Sequence, residues 1–322
     1  MRGRNLISPI PSGLPSFLNA ERCKNLDDLE ADVAIIGVPF GVPYDLAGMR
    51  SPSAPAPAAI RAASQRFVRH LGHYDFDLDG PTFAGQDVRI ADCGDVLMQS
   101  GDFEGNSQRT TEVVRRLRAS GAVPLVLGGD HAIPIPVMRA YDDIGSMAVV
   151  QLDAHIDWRH EVNGITEGLS SPMRRASELE FVSGMAQFGI RGTGSARKQE
   201  VDDALAYGAR LIKAEEIHER GISAVIDQIP DSETYYITFD ADGLDPTLAP
   251  GVNTPALGGL TYYQAARLIQ AVAERGRIAG YDFVEVVPDN DVGGITCMVA
   301  ARLTLFTIGA MAHAGQIGHQ PA

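Results

Sequence analysis

The chain has 322 residues, of which 45% are hydrophobic and 21% are charged. This composition is typical of a globular protein with a large core and excludes wholesale disorder. The formal net charge of −14 argues against nucleic acid or an anionic membrane as the main partner, and it either favours a cationic substrate or serves solubility alone.

Short β-rich apolar runs alternate with segments of helical spacing. The predicted strands are 32–38, 87–91, 123–127, 146–152, 185–190, 235–240 and 278–284. The predicted helices are 56–67, 109–120, 133–141, 195–207, 215–228, 262–275 and 294–311. This alternation predicts a mostly parallel sheet covered on both faces. We predict one three-layer αβα domain of the α/β class over residues 26–322, after a loose N-terminal arm of residues 1–25. The tail 313–322 is expected to be disordered or to serve oligomer contacts.

Three of the predicted strands end in acidic and histidine residues. The third strand is followed by GGDH at 128–131, the fourth by DAHID at 153–157, and the sixth ends in DAD at 240–242. Residues at i, i+2 and i+4 of an extended segment project to one side. Because ligands of open α/β sheets bind beyond the carboxyl ends of the strands, we expect the three clusters to face one site.

Each cluster alone has an ordinary explanation, since Asp and His at strand ends often cap helices or close turns. Their coincidence favours a metal site, because several carboxylates cannot stay ionised close together without compensating cations. Mixed imidazole and carboxylate ligands suit Mn, Fe, Zn or Ni. Six ligands are too many for one structural zinc and suit two ions that share carboxylates. Such a pair lowers the pKa of a shared water, so the pattern indicates a binuclear hydrolase.

The same motifs resemble the signature segments of the ureohydrolase family, which comprises arginase, agmatinase, guanidinobutyrase, proclavaminate amidinohydrolase and formimidoylglutamase. The third segment extends to DADGLDP at 240–246. Further likeness is found at 37–50, 189–192, 249–261 and 282–291, and the last two segments are similar to the agmatinase branch. The resemblance covers about residues 32–305. It implies an arginase-like fold with the metal site at the carboxyl ends of the strands.

The resemblance also implies the roles of single residues. Two ions, usually Mn²⁺ with Ni²⁺ or Zn²⁺ as alternatives, would be held by six ligands: His131, Asp153, His155, Asp157, Asp240 and Asp242. Asp153 and Asp240 would bridge, with His131 and Asp157 completing one ion and His155 and Asp242 the other. Asp157 would also orient the attacking hydroxide.

The implied reaction is hydrolysis of a guanidino compound to urea and an amine, with agmatine to putrescine as the first expectation. Glu285 matches the carboxylate that grips the substrate guanidinium through paired charge-assisted hydrogen bonds. A helix-capping or surface acid is the alternative interpretation of Glu285. Together, Asp157 and Glu285 are the predicted catalytic residues.

The chain departs from the family pattern after the second motif. Many relatives carry a histidine there that is thought to pass a proton to the leaving amine, whereas here Pro172 matches the family proline and Leu169 stands at the histidine position. His160 lies near, but its spacing is wrong for a simple replacement. Either the proton travels by another route or the activity is altered.

The loop 158–171 is expected to line the mouth of the pocket. Trp158 would stack on a flat guanidinium or an alkyl chain, or else pack in the interior. Arg159 would grip a substrate carboxylate, or else pair with an acid at the surface. Asn163 is a further candidate for substrate binding, and Glu167 lies in the same loop. A gripping Arg159 would favour a guanidino acid over agmatine.

Beside the agmatinase-type hydrolase, two further interpretations remain and a third is set aside. The first is a hydrolase of a guanidino acid, related to guanidinobutyrase, guanidinopropionase or proclavaminate amidinohydrolase, or of another guanidine. The second is a catalytically impaired subunit of a hetero-oligomer, which the missing histidine favours and the full ligand set opposes. An unrelated binuclear phosphoesterase is set aside, since the motifs offer little beyond Arg159 to bind phosphate.

Partners and location complete the expectations. The family implies a homo-oligomer, a trimer or hexamer, acting on a small guanidino molecule. The cysteines, Cys23, Cys93 and Cys297, have no metal or redox spacing, so a disulfide framework is not expected. The N-terminal sequence has no apolar signal-like region. No uninterrupted apolar run in the sequence is long enough to span a membrane. We therefore expect a protein of the reducing cytoplasm.

Overall fold

The computed structural model describes residues 6–42, 44, 51–194 and 196–319. Within these ranges the chain builds a ten-stranded sheet and a separate two-stranded one. The strands are β1 (Ile7–Ser8), β2 (Glu21–Arg22), β3 (Val33–Val38), β4 (Tyr74–Asp75), β5 (Gly80–Pro81), β6 (Ile90–Val96), β7 (Val123–Gly128), β8 (Met147–Leu152), β9 (Val182–Ile190), β10 (Arg210–Lys213), β11 (Thr234–Asp240) and β12 (Arg277–Val284).

The large sheet has the order β1-β6-β3-β7-β12-β11-β8-β9-β10, and β2 pairs with β6 beside β1. Every pairing in it is parallel except that of β1 with β6. The helices are α1 (Ala56–Ser64), α2 (Phe103–Ala119), α3 (Pro134–Met138), α4 (Pro172–Ala176), α5 (Lys198–Tyr207), α6 (Ala214–Arg220), α7 (Tyr262–Arg275) and α8 (Ile295–His313).

Two hydrophobic cores lie on opposite faces of the sheet. Alternate residues of β3 show the division, since Ile35 belongs to the core that contains α1, α7 and α8, whereas Ile36 belongs to the core that contains α2 and α3. Side chains that alternate along a strand project to opposite faces. The arrangement is the three-layer αβα fold with a mostly parallel sheet, and the predicted fold class is confirmed.

The last helix is apolar on all sides because it lies inside the protein. In the described part of the chain, the segment Val292–His313 is long and apolar enough to cross a membrane, but 83% of its most apolar window is buried. Such burial is typical of a core helix, and Leu303 and Phe306 of α8 belong to the same core as α7.

The predicted loose N-terminal arm is instead packed where the structure describes it. Ile7 pairs with Val96, and Phe17 is fully buried with its backbone N–H donating to Asp92 Oδ2 over 2.7 Å. In the tail, His319 exchanges two backbone hydrogen bonds with Asp87. The division of the chain at residue 26 stays a prediction.

Several boundaries differ from the predicted ones for local reasons. The second strand is predicted at 87–91 and lies at 90–96. In the sequence, Asp92, Gly94 and Asp95 indicate a turn. In the structure, Asp92 is buried within the strand because it forms an ion pair with Arg61. The edge strand β10 and the short strands β1, β2, β4 and β5 were not predicted. The predicted helix 215–228 ends as an α-helix at Arg220, before Gly221, whose φ of 80° ends helices readily.

The centre of the sheet collects the predicted ligand motifs. The strands β7, β12, β11 and β8 are neighbours in that order. Each is followed at its carboxyl end by one of the segments that the sequence singles out: GGDH after β7, Glu285 after β12, DAD at the end of β11 and DAHID after β8. Four parallel strands therefore deliver their terminal side chains to one edge.

Candidate metal centre and substrate site

His131 is enclosed by carboxylates. Its Nδ1 lies 2.7 Å from Asp157 Oδ2, 3.0 Å from Asp153 Oδ2 and 3.2 Å from Asp240 Oδ2. All four side chains are buried, with at most 5% of any one exposed. His131, Asp153 and Asp240 each offer a ligand atom within 4.8 Å of the others.

A second group of donors forms beside the first. Its members are Asp153, His155 and Asp242, and His155 Nδ1 lies 3.4 Å from Asp153 Oδ1 and 3.2 Å from Asp242 Oδ2. Asp153 belongs to both groups and directs one carboxylate oxygen to each. The bridging role that the family implies for Asp153 therefore suits its position, while Asp240 lies with the His131 group.

Neighbouring hydrogen bonds fix the tautomer of His131. Its Nε2 lies 2.9 Å from Thr238 Oγ1, and that hydroxyl donates to Asp282 Oδ1 over 2.8 Å. Because the single proton of Thr238 goes to a carboxylate, its oxygen accepts from Nε2–H of His131. Nδ1 faces three carboxylate oxygens without a hydrogen bond; burial lowers the pKa of His131, but Asp157 and the other carboxylates raise it well above its usual value. Only a positive charge between these atoms stabilises the arrangement, and an imidazole oriented through its other nitrogen is the usual form of a metal-ligating histidine.

The pKa values of the clustered aspartates are shifted by the same crowding of negative charge. Burial and the charge of Asp153 raise the pKa of Asp157 to about 7. Burial, followed by the charge of Asp242, raises the pKa of Asp240 well above its usual value. Burial alone would raise the pKa of Asp153 too, but the adjacent imidazoles of His131 and His155 hold it below the usual range. Divalent cations would relieve this repulsion, so the buried donor set fits a two-ion centre.

Close approach of the backbone shapes the centre. A Cβ added to Gly243 would lie 2.8 Å from the backbone N of Asp153, and one added to Gly129 would lie 1.9 Å from the carbonyl oxygen of Phe40. Both loops that carry ligands therefore require glycine at these points.

Two non-glycine residues of the site have a left-handed backbone conformation. Asp157 and Glu285 have φ values of 48° and 61°. This conformation costs a non-glycine residue about 1 kcal/mol or more in conformational free energy and is often found at functional sites.

Glu285 lies beside the His131 group. Its Oε1 accepts the backbone N–H of His131 over 2.8 Å, and the hydroxyl of Ser53 donates to Oε2 over 3.4 Å. Burial and the nearby charge of Asp130 raise the pKa of Glu285 to about 8. The side chain is half-buried, so its carboxylate is fixed in place and open on one side.

The loop after Asp157 is placed differently from what the sequence predicts. Trp158 is 2% exposed and packs against Tyr207 at 5.7 Å between ring centroids, so of its two expected roles the structure supports packing rather than stacking on substrate. Arg159 Nη1 lies 3.5 Å from Glu200 Oε1, the alternative pairing with an acid. Asn163 is exposed and donates to the carbonyl of Tyr44 over 3.4 Å.

Tyr44 lies next to the position of the missing histidine. Its hydroxyl accepts the backbone N–H of Ser170 over 2.9 Å, and its ring lies within 2.2 Å of where a Cβ on Gly168 would be. Since the hydroxyl accepts this bond, its own proton is available to another acceptor.

The residues at and near the missing histidine are placed as follows. Leu169 is half-buried, and His160 is exposed and lies 3.4 Å from Arg175. Tyr44 was not predicted as a site residue, although it belongs to the segment 37–50; residues 43 and 45–50 of that segment lie outside the described residues.

Buried polar residues behind the ligands were not predicted either. Gln151 donates to Asp153 Oδ2 over 2.6 Å, and Thr238 and Asp282 orient His131. Arg191 donates to several carbonyl groups around the third motif, those of Asp242, Gly243 and Leu244 among them. A polar residue two positions before a ligand in an apolar strand, as in Gln151–Asp153 and Thr238–Asp240, is the signal that would have found two of them.

Comparisons with known proteins agree with the geometry. The family model described as the arginase family matches residues 31–309. A guanidinopropionase of Pseudomonas aeruginosa is 34% identical over 307 residues, which cover 91% of this chain and 90% of the relative. An agmatinase of Blochmanniella floridana is 34% identical over 273 residues, covering 82% and 84%.

Solved structures show the same likeness. Proclavaminate amidino hydrolase from Streptomyces clavuligerus superposes with a TM-score of 0.80 at 28% identity, covering 94% of this chain and 98% of that one. Agmatine ureohydrolase of Thermoplasma volcanium has a TM-score of 0.73 at 30% identity, covering 88% and 91%. These relatives are hydrolases of guanidino carbon–nitrogen bonds. With its ligand motifs gathered at one sheet edge and the family match spanning most of its length, the chain belongs to the arginase family.

Proposed function

We propose that the protein hydrolyses agmatine to putrescine and urea with a pair of divalent ions. The observation that carries the proposal is the juxtaposition of a buried imidazole and carboxylate cluster with Glu285, whose Oε1 accepts the backbone N–H of the ligand candidate His131 over 2.8 Å. Such a pair supports attack on a planar cation, because the cluster suits metal ions and the carboxylate suits a guanidinium.

Six residues would hold the ions. His131, Asp153, Asp157 and Asp240 would hold one, and Asp153, His155, Asp240 and Asp242 the other. When bound, the ions supply a water of lowered pKa and stabilise negative charge that develops during attack. We propose Mn²⁺ as the resident metal, with Ni²⁺ or Zn²⁺ as alternatives, since imidazole and carboxylate donors accept all three.

Glu285 would bind and orient the substrate. Its carboxylate is held by the backbone of His131 and by Ser53, and a guanidinium donates two parallel hydrogen bonds to such a group. The bound cation would keep Glu285 ionised despite its burial. Asp157 would accept a hydrogen bond from the attacking water and so direct the water towards the guanidinium carbon.

The leaving amine needs a proton that Leu169 cannot supply. Among the described residues, Tyr44 places a hydroxyl at this part of the loop, and its proton is not engaged by Ser170. Tyr44 would also hold the loop in place through two hydrogen bonds. Its hydroxyl accepts the backbone N–H of Ser170, and its carbonyl accepts the side-chain amide of Asn163.

The charges around the loop favour an amine-bearing substrate over an acid. Among the described residues of this region, the arginines are already paired: Arg139 with Glu167, Arg159 with Glu200, and Arg175 with Glu178. A carboxylate tail would have to displace one of these acids. The net charge of −14 acts in the same direction by attracting a dication.

A panel of guanidines tests the proposal. The purified protein, loaded with Mn²⁺, Ni²⁺ or Zn²⁺, is assayed for urea release from agmatine, guanidinobutyrate, guanidinopropionate and arginine. We expect kcat/KM for agmatine to exceed the others by about tenfold or more, a preference of about 1.4 kcal/mol. Faster release from either acid would contradict the agmatine assignment and leave the reaction class intact.

A guanidino acid is the second candidate substrate, and one observation favours it. The guanidinopropionase of Pseudomonas aeruginosa covers 91% of this chain at 34% identity, as close in identity as the agmatinase of Blochmanniella floridana. In this case Arg159 would exchange Glu200 for the substrate carboxylate. The same panel separates the two candidates.

We further propose a homo-oligomer, a trimer or hexamer, located in the cytoplasm. Both statements are supported by the resemblance to the ureohydrolases. Sedimentation analysis of the full chain tests the first. The impaired-subunit alternative is tested by metal analysis: we expect two ions per chain after Mn²⁺ loading, and fewer than about one would favour an inactive subunit.

A further inference from the structure

Cys23 and Cys93 lie side by side at the edge of the sheet. In the parallel pairing of β2 with β6, Glu21 is opposite Ala91 and Arg22 is opposite Asp92. The backbone N–H of Cys23 continues the ladder by donating to the carbonyl of Asp92 over 2.9 Å. The next residues in this register are therefore Cys23 and Cys93.

This register places the two sulfurs on one face. Paired residues of adjacent strands lie about 4.8 Å apart, within the Cα separation of about 4.4–6.8 Å that a disulfide requires. Both side chains also face the same hydrophobic core, since Cys93 belongs to it and Cys23 packs against it. The register therefore brings the two cysteines within the backbone separation at which a disulfide is able to form.

The two thiols have complementary chemistry. Cys23 is partly exposed, and the neighbouring Cys93 thiol lowers its pKa to about 7. Cys93 is fully buried, and its contact with Cys23 together with burial raises its pKa. An accessible cysteine with thiolate character beside a second thiol is typical of a peroxide-sensitive pair.

We infer that Cys23 and Cys93 are a thiol–disulfide redox site that reacts with hydroperoxides. The Cys23 thiolate attacks one peroxide oxygen, the O–O bond breaks, and the released hydroxide takes a proton to leave water and a sulfenic acid. The Cys93 thiol then attacks the Cys23 sulfur, the S–O bond breaks, and the hydroxide leaves as water with the Cys93 proton. Two thiols are oxidised by two electrons and one peroxide is reduced.

The bond would fasten the N-terminal segment to the sheet. Cys93 follows Asp92, which receives hydrogen bonds from Arg61 of α1 and from the backbone of Phe17. Oxidation would thus tie residues 6–22 covalently to the strand that already holds them by these bonds. The metal ligand candidates take no part, so the inference goes beyond the proposed function and does not depend on it.

Thiol counting with peptide mass spectrometry tests the inference. The native chain is exposed to hydrogen peroxide, alkylated, and digested without reduction. We expect the loss of two of the three thiols, a linked peptide pair containing Cys23 and Cys93, and full recovery of both thiols with dithiothreitol. Persistence of three free thiols, or conversion of Cys23 to sulfinic acid with no linked peptide, would overturn the inference.

Single variants locate the chemistry. In Cys93→Ser, Cys23 should stop at a sulfenic acid that a dimedone probe captures; in Cys23→Ser, Cys93 should stay reduced. Cys297→Ser is the matched control, because Cys297 is buried alone in α8 and burial raises its pKa, and it should form the linked pair as the native chain does. If Cys93→Ser does not fold, the Cys23→Ser result decides, and oxidation of Cys93 in that variant would contradict the inference.

Discussion

The metal cluster and the loop that follows it are joined at Asp157, yet they are built in different ways. The cluster residues emerge from central strands and are buried except for the half-buried His155, and further polar groups hold several of them, as Thr238 holds His131. The middle of the loop, residues 160–167, is exposed or half-buried, and it is held by contacts with distant segments, such as the 3.4 Å bond from Asn163 to Tyr44. The sheet therefore fixes the chemistry, while the loop is free to vary with the substrate.

Removing the shared ligand should have the largest effect. In Asp153→Ala both donor groups lose a member, so we expect less than one ion per chain and a loss of activity of about 1000-fold or more, since each 1.4 kcal/mol of lost transition-state stabilisation is tenfold. Metal analysis and urea release measure this. The exposed Asp231 provides a control, Asp231→Asn, which should keep both ions; retention of activity in Asp153→Ala would contradict the assignment of the centre.

Glu285 tests whether substrate is bound by the sheet rather than the loop. Glu285→Gln keeps the shape but removes the charge, and loss of one partner of a buried charged pair costs about 2–5 kcal/mol. We expect kcat/KM to fall by about 30-fold or more while the metal content stays at the native value. The control is Glu180→Gln on the surface. A native kcat/KM would show that another group binds the guanidinium.

The difference between the two regions also decides what the sequence could predict. The ligand motifs were predictable because period-2 spacing at strand ends determines direction, and the parallel sheet aligns the ends of β7, β8 and β11. Glu285 required the family resemblance, since a lone acid at a strand end has many roles. The central strands were predicted to within three residues, because their apolar runs are continuous.

What escaped prediction depends on contacts between distant segments. The sequence leaves the role of Trp158 open between stacking on substrate and packing, because the contact with Tyr207 cannot be inferred from neighbours in sequence. Tyr44 meets Ser170 across 126 residues, and Asp92 extends β6 only because Arg61 compensates its charge. Thr238 and Gln151 were detectable in principle, as polar residues two positions before a ligand.

Thr238 tests the support behind the cluster. Thr238→Val preserves the volume and removes the acceptor that fixes the His131 tautomer. Loss of such a partner lowers metal affinity by about 10–100-fold, so Mn²⁺ titration should give a higher Kd, with activity recovered at saturating Mn²⁺. Thr304→Val, a buried threonine of α8 bonded to Ala300, is the matched control. An unchanged Kd would show that the tautomer is set elsewhere.

Tyr44 tests the anchoring of the loop. Tyr44→Phe removes the acceptor for Ser170, and loss of one hydrogen bond costs about 1 kcal/mol, so we expect KM for agmatine to rise about fivefold with unchanged metal content. A fall in kcat with KM unchanged would instead point to the hydroxyl as the proton source for the leaving amine. The exposed Tyr263 supplies the control, Tyr263→Phe.

Arg159 should show the smallest effect and separates the two substrate candidates. Because Arg159 is paired with Glu200 at 3.5 Å, Arg159→Gln removes a contact between two protein side chains rather than a contact with agmatine. We expect kcat/KM for agmatine to change by less than about threefold, with no selective effect on guanidinobutyrate or guanidinopropionate. If release from the acids falls tenfold while release from agmatine does not, Arg159 binds a carboxylate, and the loop rather than the sheet has determined which guanidine is cut.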